Sequence, residues 1–532
     1  MQRRIAIPVL AALLSVSALQ LHAADNDKKA DKAPEAPATP ADSTTEGTVT
    51  VNGQAIAYTA VAGTLTVGAT PQQDSQLDLE GRWLPEAGVK VDKPEDAPAT
   101  ARIFYVAYFK KGASNQTRPI TFCYNGGPGS STMWLHMGSF GPKRVITQDT
   151  VHEAAGPYRI ENNESSLLDV SDLVFIDAPS TGFSRVSGKD APKAFYGIDE
   201  DARAFERFIR RFMTKYDRWN SPKYLFGESY GTPRSAVLSR DLQGVDLNGI
   251  ILLSQILGFD NSVDGPKENP GVDQAYALGL PTYAATAWYH KKLPTQPAAL
   301  EPFLKEVEDF ALGEYMTALL QGSELPEARK QAVAEKLHGY TGLPVAYLLK
   351  SDLRVEGGAF SKALKDDEGI SVGRLDTRYE GPDMDRLSES TMYDPQSSAV
   401  SAAYTTAINQ YLRDDLKFGQ NWTYRPNAYG SEGFRWQMRY SEGGQNVMPD
   451  LARKMKDDPK MKVFLAGGYY DLATPFFEGM YEMHHLPIPQ NLQANISYHY
   501  YQAGHMIYVN SDILKHFHDD VASFIKGTEA AK

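Results

Sequence analysis

Cysteine is almost absent from this sequence of 532 residues, since Cys123 is the single one. One cysteine excludes an intramolecular disulfide and any metal site built on paired cysteines. The His-Glu-x-x-His motif is also missing, and His516 and His518 would point to different faces of a helix. We therefore expect no metal and no organic cofactor. Cys123 lies in the apolar run 120–124, which indicates a buried core side chain.

Positive charge is scarce as well. The chain has 54 lysines and arginines against 66 acidic residues, which gives a formal net charge of −12. This balance argues against a nucleic-acid groove and against a surface that binds anionic membranes. With 42% apolar residues the composition is that of a soluble globular protein, large enough for an extended core without disulfides.

Long apolar runs are missing beyond the N-terminus. Arg3 and Arg4 precede the short apolar run 5–14, and Ala23 ends a segment suited to signal cleavage. This pattern predicts a secretory signal over residues 1–23, too short to remain as a membrane span. We expect an exported protein without a stable membrane anchor, with the bacterial periplasm as its compartment or, as the alternative, secretion from the cell.

The order of local patterns divides the chain into further segments. Residues 24–47 lack periodicity, which predicts a disordered linker. Residues 48–258 begin with β-rich patterns, including an Asn52-Gly53 hairpin turn, and then alternate between strands and helices. The alternation predicts a parallel sheet wrapped by helices. It stops over the mostly helical residues 259–459, a predicted cap insertion, and resumes over residues 460–532.

A Gly-x-Ser-x-Gly motif follows the apolar residues 224–226 and precedes a helical pattern. A strand–turn–helix of this kind presents a serine, here Ser229, on a strained turn above a sheet. Gly227 and Gly231 fit this geometry, because a side chain at either position would crowd the turn. The alternative is an ordinary strand-to-helix turn, since the pentapeptide also occurs by chance.

A serine nucleophile needs a base to take its proton and an acid to orient that base. In the α/β-hydrolase arrangement both follow the serine on turns after late strands, with the acid first. Asp471 follows the apolar run 461–466, and His505 follows the run 496–501, so we predict these two partners. The other histidines after Asp471 do not directly follow a strand; they are His484, His485, His499, His516 and His518.

Residues 125–129, Asn-Gly-Gly-Pro-Gly, follow another apolar run. A turn of this composition exposes backbone N–H groups, and such donors stabilise the oxyanion of a tetrahedral intermediate. Here the two donors would be the N–H groups of Gly127 and Tyr230. A plain Gly-Pro turn is the alternative for the segment taken alone.

These segments together resemble the serine carboxypeptidases. The resemblance rests on residues 125–131, 177–184, 227–231, 468–471 and 504–506. It implies an α/β-hydrolase fold and hydrolysis of the C-terminal bond of a peptide or protein substrate that has a free C-terminus. It further implies a catalytic triad of Ser229, Asp471 and His505, with Asn125 and Glu228 binding the terminal carboxylate.

The sequence departs from the family pattern in a few places. Tyr124 and Ser130 stand where the family often has Trp and Cys, and Ser180 replaces a glycine. The disulfides of the family cannot form with one cysteine. These departures leave the structure of the cap and the preferred substrate side chain open.

We expect the activity to depend on pH through Glu228. Two carboxylates at hydrogen-bond distance cannot both stay ionised, so Glu228 and a substrate carboxylate would share a proton and favour acidic pH. The alternative is that Glu228 is a carboxylate stabilised by the dipole at a helix N-terminus.

Two other functions remain open at this point. An esterase or acyltransferase would use the same triad, although a substrate without a free carboxylate has no use for Asn125 and Glu228. A non-catalytic binding protein on a hydrolase scaffold is the second alternative. The oligomeric state is not indicated by the sequence.

If residues 1–23 are a signal, the exported protein should begin at or near Ala24, because cleavage follows a small residue. N-terminal sequencing of exported material checks this expectation. Replacing Arg3 and Arg4 with glutamate should retain the protein in the cytoplasm. An intact leader on exported protein would contradict the predicted cleavage.

Overall fold

The computed structural model describes residues 40–89, 93–431, 433–439 and 445–530. The predicted signal peptide, residues 1–23, and the predicted linker as far as residue 39 lie outside these ranges. From Ala41 onward the described residues form one unit. Within these ranges no helix combines the length and the apolar character that a membrane span requires.

The strands of the described ranges are given in chain order. They are β1 Ser43–Val51, β2 Gln54–Gly68, β3 Thr100–Lys110, β4 Ile120–Tyr124, β5 Lys143–Val145, β6 Ile160–Asn162, β7 Asp172–Ile176, β8 Arg185–Ser187, β9 Lys223–Glu228, β10 Gly249–Leu253, β11 Ile370–Val372, β12 Glu380–Pro382, β13 Lys462–Gly468 and β14 Ile496–Tyr501.

The α-helices follow the same convention. They are α1 Pro71–Asp74, α2 Met133–Gly138, α3 Ala191–Phe195, α4 Ile198–Lys215, α5 Gly231–Asp241, α6 Gln274–Tyr289, α7 Leu300–Phe310, α8 Met316–Gln321, α9 Glu327–Thr341, α10 Val345–Lys350, α11 Gly357–Ala363, α12 Pro395–Asp414, α13 Met448–Asp457, α14 Phe476–His484, α15 Gln490–Gln493 and α16 Ser511–Ala530. A π-helical turn, Ala311–Tyr315, joins α7 to α8.

One mixed sheet of ten strands has the order β1-β2-β3-β7-β4-β9-β10-β13-β14, with β8 paired to β3. The strands from β7 to β14 in this order run parallel, whereas β1, β2 and β3 pair antiparallel at one edge. Strands β4, β7 and β10 are buried at every residue, as expected where helices cover both faces of a parallel sheet. The predicted α/β-hydrolase fold is confirmed.

The first hairpin begins earlier than the sequence predicts. β1 starts at Ser43, so residues 43–47 belong to the sheet and not to the predicted linker of residues 24–47. The reason is backbone pairing, because β1 pairs with β2 at every residue despite its polar composition. Asn52 and Gly53 both have positive φ, 47° and 77°, as a tight hairpin turn requires.

Helices pack on both faces of the sheet through aromatic side chains. The apolar face of α4 is buried and consists of Ala202, Phe205, Phe208, Ile209 and Phe212. On one face the Phe212 ring lies 5.7 Å from Phe122 of β4. On the other face Phe517 of α16 lies 6.0 Å from Phe226 of β9. Such edge-on contacts add to the stabilisation from apolar burial.

The insertion over residues 259–459 contributes to two cores. Helices α6 to α11 pack around an apolar cluster of their own, which also includes Tyr470 and Leu472 beside β13. Helix α12 packs instead against α2, with Tyr404 and Tyr411 in the cluster of the main sheet. The insertion is mostly helical, but β11 and β12 add a small antiparallel sheet. Part of the predicted cap is therefore built into the body of the hydrolase fold.

Candidate active site

Ser229 occupies the turn between β9 and α5. Its φ is 59°, a left-handed conformation that costs a non-glycine residue on the order of 1–3 kcal/mol. A Cβ on Gly227 would overlap the carbonyl oxygen of Gly231, so glycine lets the strand and the helix approach this closely. The Ser229 N–H donates to the Leu253 carbonyl at 3.0 Å. The structure thus contains the predicted strand–turn–helix.

Asp471 and His505 lie on the turns that follow the neighbouring strands β13 and β14. The distance between His505 Nδ1 and Asp471 Oδ2 is 2.8 Å. The Asp471 carboxylate is fully buried and accepts hydrogen bonds from the N–H groups of Ala473 and Thr474, at 2.9 and 3.0 Å. The Thr474 hydroxyl donates to it at 2.7 Å. These contacts hold the carboxylate in one orientation toward the imidazole.

One cavity of about 290 Å³ brings five of the seven predicted site residues together, whereas Asp471 and Tyr230 do not line it. Its wall includes Asn125, Gly127, Glu228, Ser229 and His505. The cap and the flanking loops complete the wall with Trp134, Arg374, Leu375, Val400, Tyr429 and Met506. Residues from the serine turn, the histidine turn and the glycine loop therefore share one space.

The electrostatic surroundings of His505 favour its charged form. Burial and the charge of Arg374 lower the pKa of His505, but the charge of Asp471, the hydrogen bond that His505 donates to it and the charge of Glu228 raise it by more, so that the net shift is upward. A base that takes a proton from serine becomes an imidazolium. The surroundings of His505 suit that form.

The other candidate histidines lie elsewhere. His499 is inside β14, His518 pairs with Asp169, and His484 ends α14. Of the described residues that line the cavity, His505 is the only histidine. Among the residues that the structure describes, no group of acidic, histidine and cysteine side chains could hold a metal ion.

Asn125 and Glu228 form a hydrogen-bonded pair beside Ser229. Asn125 Nδ2 donates to Glu228 Oε2 at 2.7 Å, and the Tyr508 hydroxyl donates to both carboxylate oxygens, at 3.0 and 2.9 Å. Glu228 is 2% exposed. Burial raises the pKa of Glu228 to about 7, although the charge of His505 and the two hydrogen-bond donors lower it. The group can therefore carry a proton at acidic pH, and its partners are side chains, not the N-terminus of α5.

The glycine loop closes onto the serine turn. A Cβ on Gly126 would overlap the backbone nitrogen of Tyr230, so the two segments are in contact. Gly127 lines the cavity and has a φ of 113°. Neither the Gly127 N–H nor the Tyr230 N–H donates to an acceptor among the described residues. Both groups are therefore available to a ligand.

Sequence analysis missed the residues that support the Asn125 loop. Arg234 and Asp201 form a fully buried ion pair at 2.6 Å, and Arg234 Nη1 donates to the Asn125 carbonyl at 2.6 Å. It also missed Tyr508, the partner of Glu228. The sequence carried no clear signal for Arg234, because α5 contains other polar and charged residues, among them Arg240 and Asp241.

A segment of the cap, residues 374–378, connects the two loops that carry Asp471 and His505. The His505 N–H donates to the Leu375 carbonyl at 2.6 Å, and the Leu472 N–H donates to the Arg374 carbonyl at 3.0 Å. The cap is thus bonded directly to the backbone next to both predicted triad members. Sequence analysis treated the cap only as a cover of the site.

Asp376 is the buried centre of this cap segment. Its carboxylate accepts the Gly504 N–H at 3.1 Å and pairs with Arg378 at 2.6 Å. Arg378 in turn pairs with Asp149 at 2.9 Å. Asp376 is 1% exposed, so its charge depends on these partners. The contacts fix the turn that precedes His505.

Comparison with known proteins agrees with the fold and the motifs. Residues 94–240 match the profile of a family described as serine carboxypeptidase. This range contains Asn125, Glu228, Ser229 and Tyr230 but not Asp471 or His505. The predicted resemblance to the serine carboxypeptidases is therefore confirmed for this part of the chain.

Curated relatives match over a similar range. The chain is 27% identical over 150 residues to the pheromone-processing carboxypeptidase kex1 of Aspergillus clavatus, which is 28% of this chain and 22% of that protein. It is 28% identical over 141 residues to KEX1 of Yarrowia lipolytica, 25% of this chain and 21% of that one. The chain thus spans about a fifth of the length of these relatives.

Solved structures share little sequence with the chain. A proline iminopeptidase from Mycobacterium smegmatis is 13% identical with a TM-score of 0.33, covering 81% of this chain and 96% of its own. The peroxisomal alpha-beta-hydrolase Lpx1 from Saccharomyces cerevisiae is 8% identical with a TM-score of 0.31, covering 87% and 89%. Likenesses at this level carry no information on function.

The Asp376 network generates a stability prediction. Asp376→Ala should lower the free energy of unfolding by about 3–5 kcal/mol, because it leaves buried Arg378 without one of its partners. Equilibrium denaturation followed by tryptophan fluorescence measures the change. As the control, Lys305→Ala removes an ion pair whose two side chains are 67% and 69% exposed and should cost less than about 1 kcal/mol. Equal small effects would show that Asp376 does not stabilise this region.

Proposed function

We propose that the protein is a serine carboxypeptidase that hydrolyses the C-terminal bond of peptides or proteins. The observation that carries the proposal is the Asn125–Glu228 pair, which lines the same cavity as Ser229 and His505. A buried glutamic acid beside an amide donor can bind a terminal carboxylate through hydrogen bonds. An uncharged ester has no terminal carboxylate for this pair to bind. The family resemblance over residues 94–240 supports the same function.

Ser229 would act as the nucleophile and His505 as the base. His505 Nε2 takes the hydroxyl proton while Ser229 Oγ forms a bond to the scissile carbonyl carbon, and Asp471 stabilises the imidazolium through Nδ1. The N–H groups of Gly127 and Tyr230 would bind the oxyanion. The imidazolium then protonates the leaving amine, the free C-terminal amino acid departs, and an acyl-enzyme remains.

Water completes the reaction in the same site. His505 takes a proton from the water as its oxygen attacks the acyl carbonyl, and that proton returns to Ser229 Oγ when the ester bond breaks. The products are the shortened peptide with a new carboxylate and the regenerated enzyme. No metal or organic cofactor takes part in the proposed reaction.

Glu228 would set the pH range of substrate binding. In its protonated form it donates to the substrate carboxylate, and in its ionised form it repels that carboxylate. Because burial raises the pKa of Glu228 to about 7, the protonated form prevails below that pH. We therefore expect tighter substrate binding at acidic pH.

We also infer that the protein is exported, with the periplasm as its compartment. Arg3, Arg4, the apolar run 5–14 and Ala23 support this inference. N-terminal sequencing of exported material, described above, tests it.

Replacement of the nucleophile should abolish turnover. Ser229→Ala should lower kcat by about 10⁴-fold or more, because triad members act as a unit. Hydrolysis of a blocked dipeptide and labelling by a fluorophosphonate, located by mass spectrometry, measure the effect. Ser239→Ala, which removes a buried serine hydroxyl of α5 outside the cavity, is the matched control. A label on another serine, or no turnover by the natural chain, would contradict the proposal.

Replacement of Glu228 should change the pH dependence of binding. For a free-carboxylate dipeptide the KM should rise as pH passes about 7, where Glu228 ionises. Glu228→Gln keeps a hydrogen-bond donor without a titrating proton, so its KM should stay nearly constant across this range. Steady-state kinetics from acidic to mildly alkaline pH measure both profiles.

The matched substrates are the amide and the ester of the same dipeptide. They carry no terminal charge, so their KM should show little of this rise in either protein. The carboxylate-binding role is falsified if Glu228→Gln keeps the natural KM–pH profile on the free dipeptide. Efficient hydrolysis of the ester alone would favour an esterase or acyltransferase.

A further inference from the structure

A second cavity adjoins the candidate active site. It has a volume of about 920 Å³ and lies between residues 180–196 on one side and residues 423–431 on the other. Pro426, Asn427 and Tyr429 line both cavities. We call this second cavity the arginine groove, after Arg185 and Arg425 in its wall. The two cavities therefore share part of one wall.

The wall of the arginine groove is held by backbone hydrogen bonds. The Gly182 N–H donates to the Arg425 carbonyl at 2.6 Å, and the Arg425 N–H donates back to the Gly182 carbonyl at 3.1 Å. The Ser131 N–H donates to the Pro426 carbonyl at 2.9 Å. These bonds fix the backbone on both sides of the groove.

The charged side chains that the structure describes in the lining of the groove are Arg185 and Arg425, although the net charge of the protein is −12. Arg425 is exposed, and among the described residues its guanidinium has no hydrogen-bond or ion-pair partner. An exposed guanidinium in the wall of a groove suits a ligand carboxylate.

Arg185 is held in place but not neutralised. Its guanidinium donates to the carbonyl oxygens of Gly182, Ser184 and Thr423, at 2.7 to 3.0 Å. Burial, together with the like charges of Arg425 and Arg102, lowers the pKa of Arg185 to about 10, against the weaker attraction of Asp177. Arg185 therefore stays positively charged at neutral pH and contributes to the charge of the groove.

Cleavage of the last peptide bond by Ser229 would limit which part of a substrate can lie in this groove. A carboxypeptidase substrate has one residue beyond the scissile bond, and Asn125 and Glu228 would hold its carboxylate. Everything else in the substrate lies on the N-terminal side of that bond. A groove beside the catalytic cavity is therefore placed to hold the N-terminal side.

We propose that the arginine groove binds the substrate chain on the N-terminal side of the scissile bond and selects peptides with acidic side chains there. This proposal rests on the proposed function, since it assumes that Ser229 cleaves the last peptide bond. It adds a substrate class, acidic peptides, and names Arg425 as the residue that recognises them. Arg185 adds to the positive charge of the groove from its fixed position.

The test uses blocked hexapeptides that all end in the same C-terminal residue. The peptides carry alanine, glutamate or lysine at one of the second to fourth positions before the scissile bond. For the natural chain, kcat/KM should be about two- to fivefold higher for the glutamate peptide than for the alanine peptide at one of these positions, as one new exposed ion pair would give. The difference should lie mainly in KM. It should shrink as ionic strength rises, because salt screens exposed charges.

Variants of Arg425 assign the preference to the groove. Arg425→Gln should reduce the glutamate-to-alanine ratio to about one, and Arg425→Glu should make the lysine peptide the better substrate. Arg453→Gln removes an exposed arginine outside both cavities and should keep the ratio of the natural chain. Because Arg425 is exposed, these variants should fold, which circular dichroism checks.

Three results would overturn the inference. Equal kcat/KM for the glutamate, alanine and lysine peptides would refute acidic selection while leaving the proposed carboxypeptidase intact. A uniform rise of KM in Arg425→Gln, with the ratio preserved, would show that Arg425 binds the terminal carboxylate itself. No hydrolysis of any peptide, short or long, would overturn the proposed function and this inference together.

Discussion

Charges that are buried must be paired, and this requirement shapes the whole candidate active site. Asp471 faces three hydrogen-bond donors and His505, Glu228 faces Asn125 and Tyr508, and Asp376 faces Arg378. An uncompensated charge at such depth would cost several kcal/mol. The partners come from the sheet, the C-terminal turns and the cap. Correct pairing therefore requires all of these elements to be in place.

A second requirement is close approach of backbones at the carboxyl end of the sheet. Glycines at positions 126 and 227 allow the glycine loop, the serine turn and α5 to touch, since a Cβ at either would overlap a backbone atom. Ser229 has a left-handed backbone conformation at this point. That conformation is unfavourable for serine, and the surrounding structure stabilises it. The N–H groups of Gly127 and Tyr230 remain without protein acceptors among the described residues. The strained backbone of Ser229 therefore lies close to these two N–H groups.

The cap is a structural part of the site. Residues 374–378 are bonded to the backbone at Leu472 and His505, and Asp376 holds Gly504. The same insertion supplies residues 423–431, which form one wall of the arginine groove. One insertion therefore orients the predicted acid and base and also shapes the space where a substrate chain would lie. Changes in the cap should affect both chemistry and selection.

Patterns along the chain predict the alternation of strands and helices, the turn at Ser229, and the positions of Asp471 and His505 after late strands. These features depend on local periodicity and on glycine positions, which are visible along the chain. Folding brings together residues that no local pattern links: Tyr508 bonds Glu228 across 280 positions, Asp376 bonds Gly504 across 128, and Arg425 lines a groove. Contacts between distant residues leave no periodic pattern, and the pKa of Glu228 depends on burial that only folding creates.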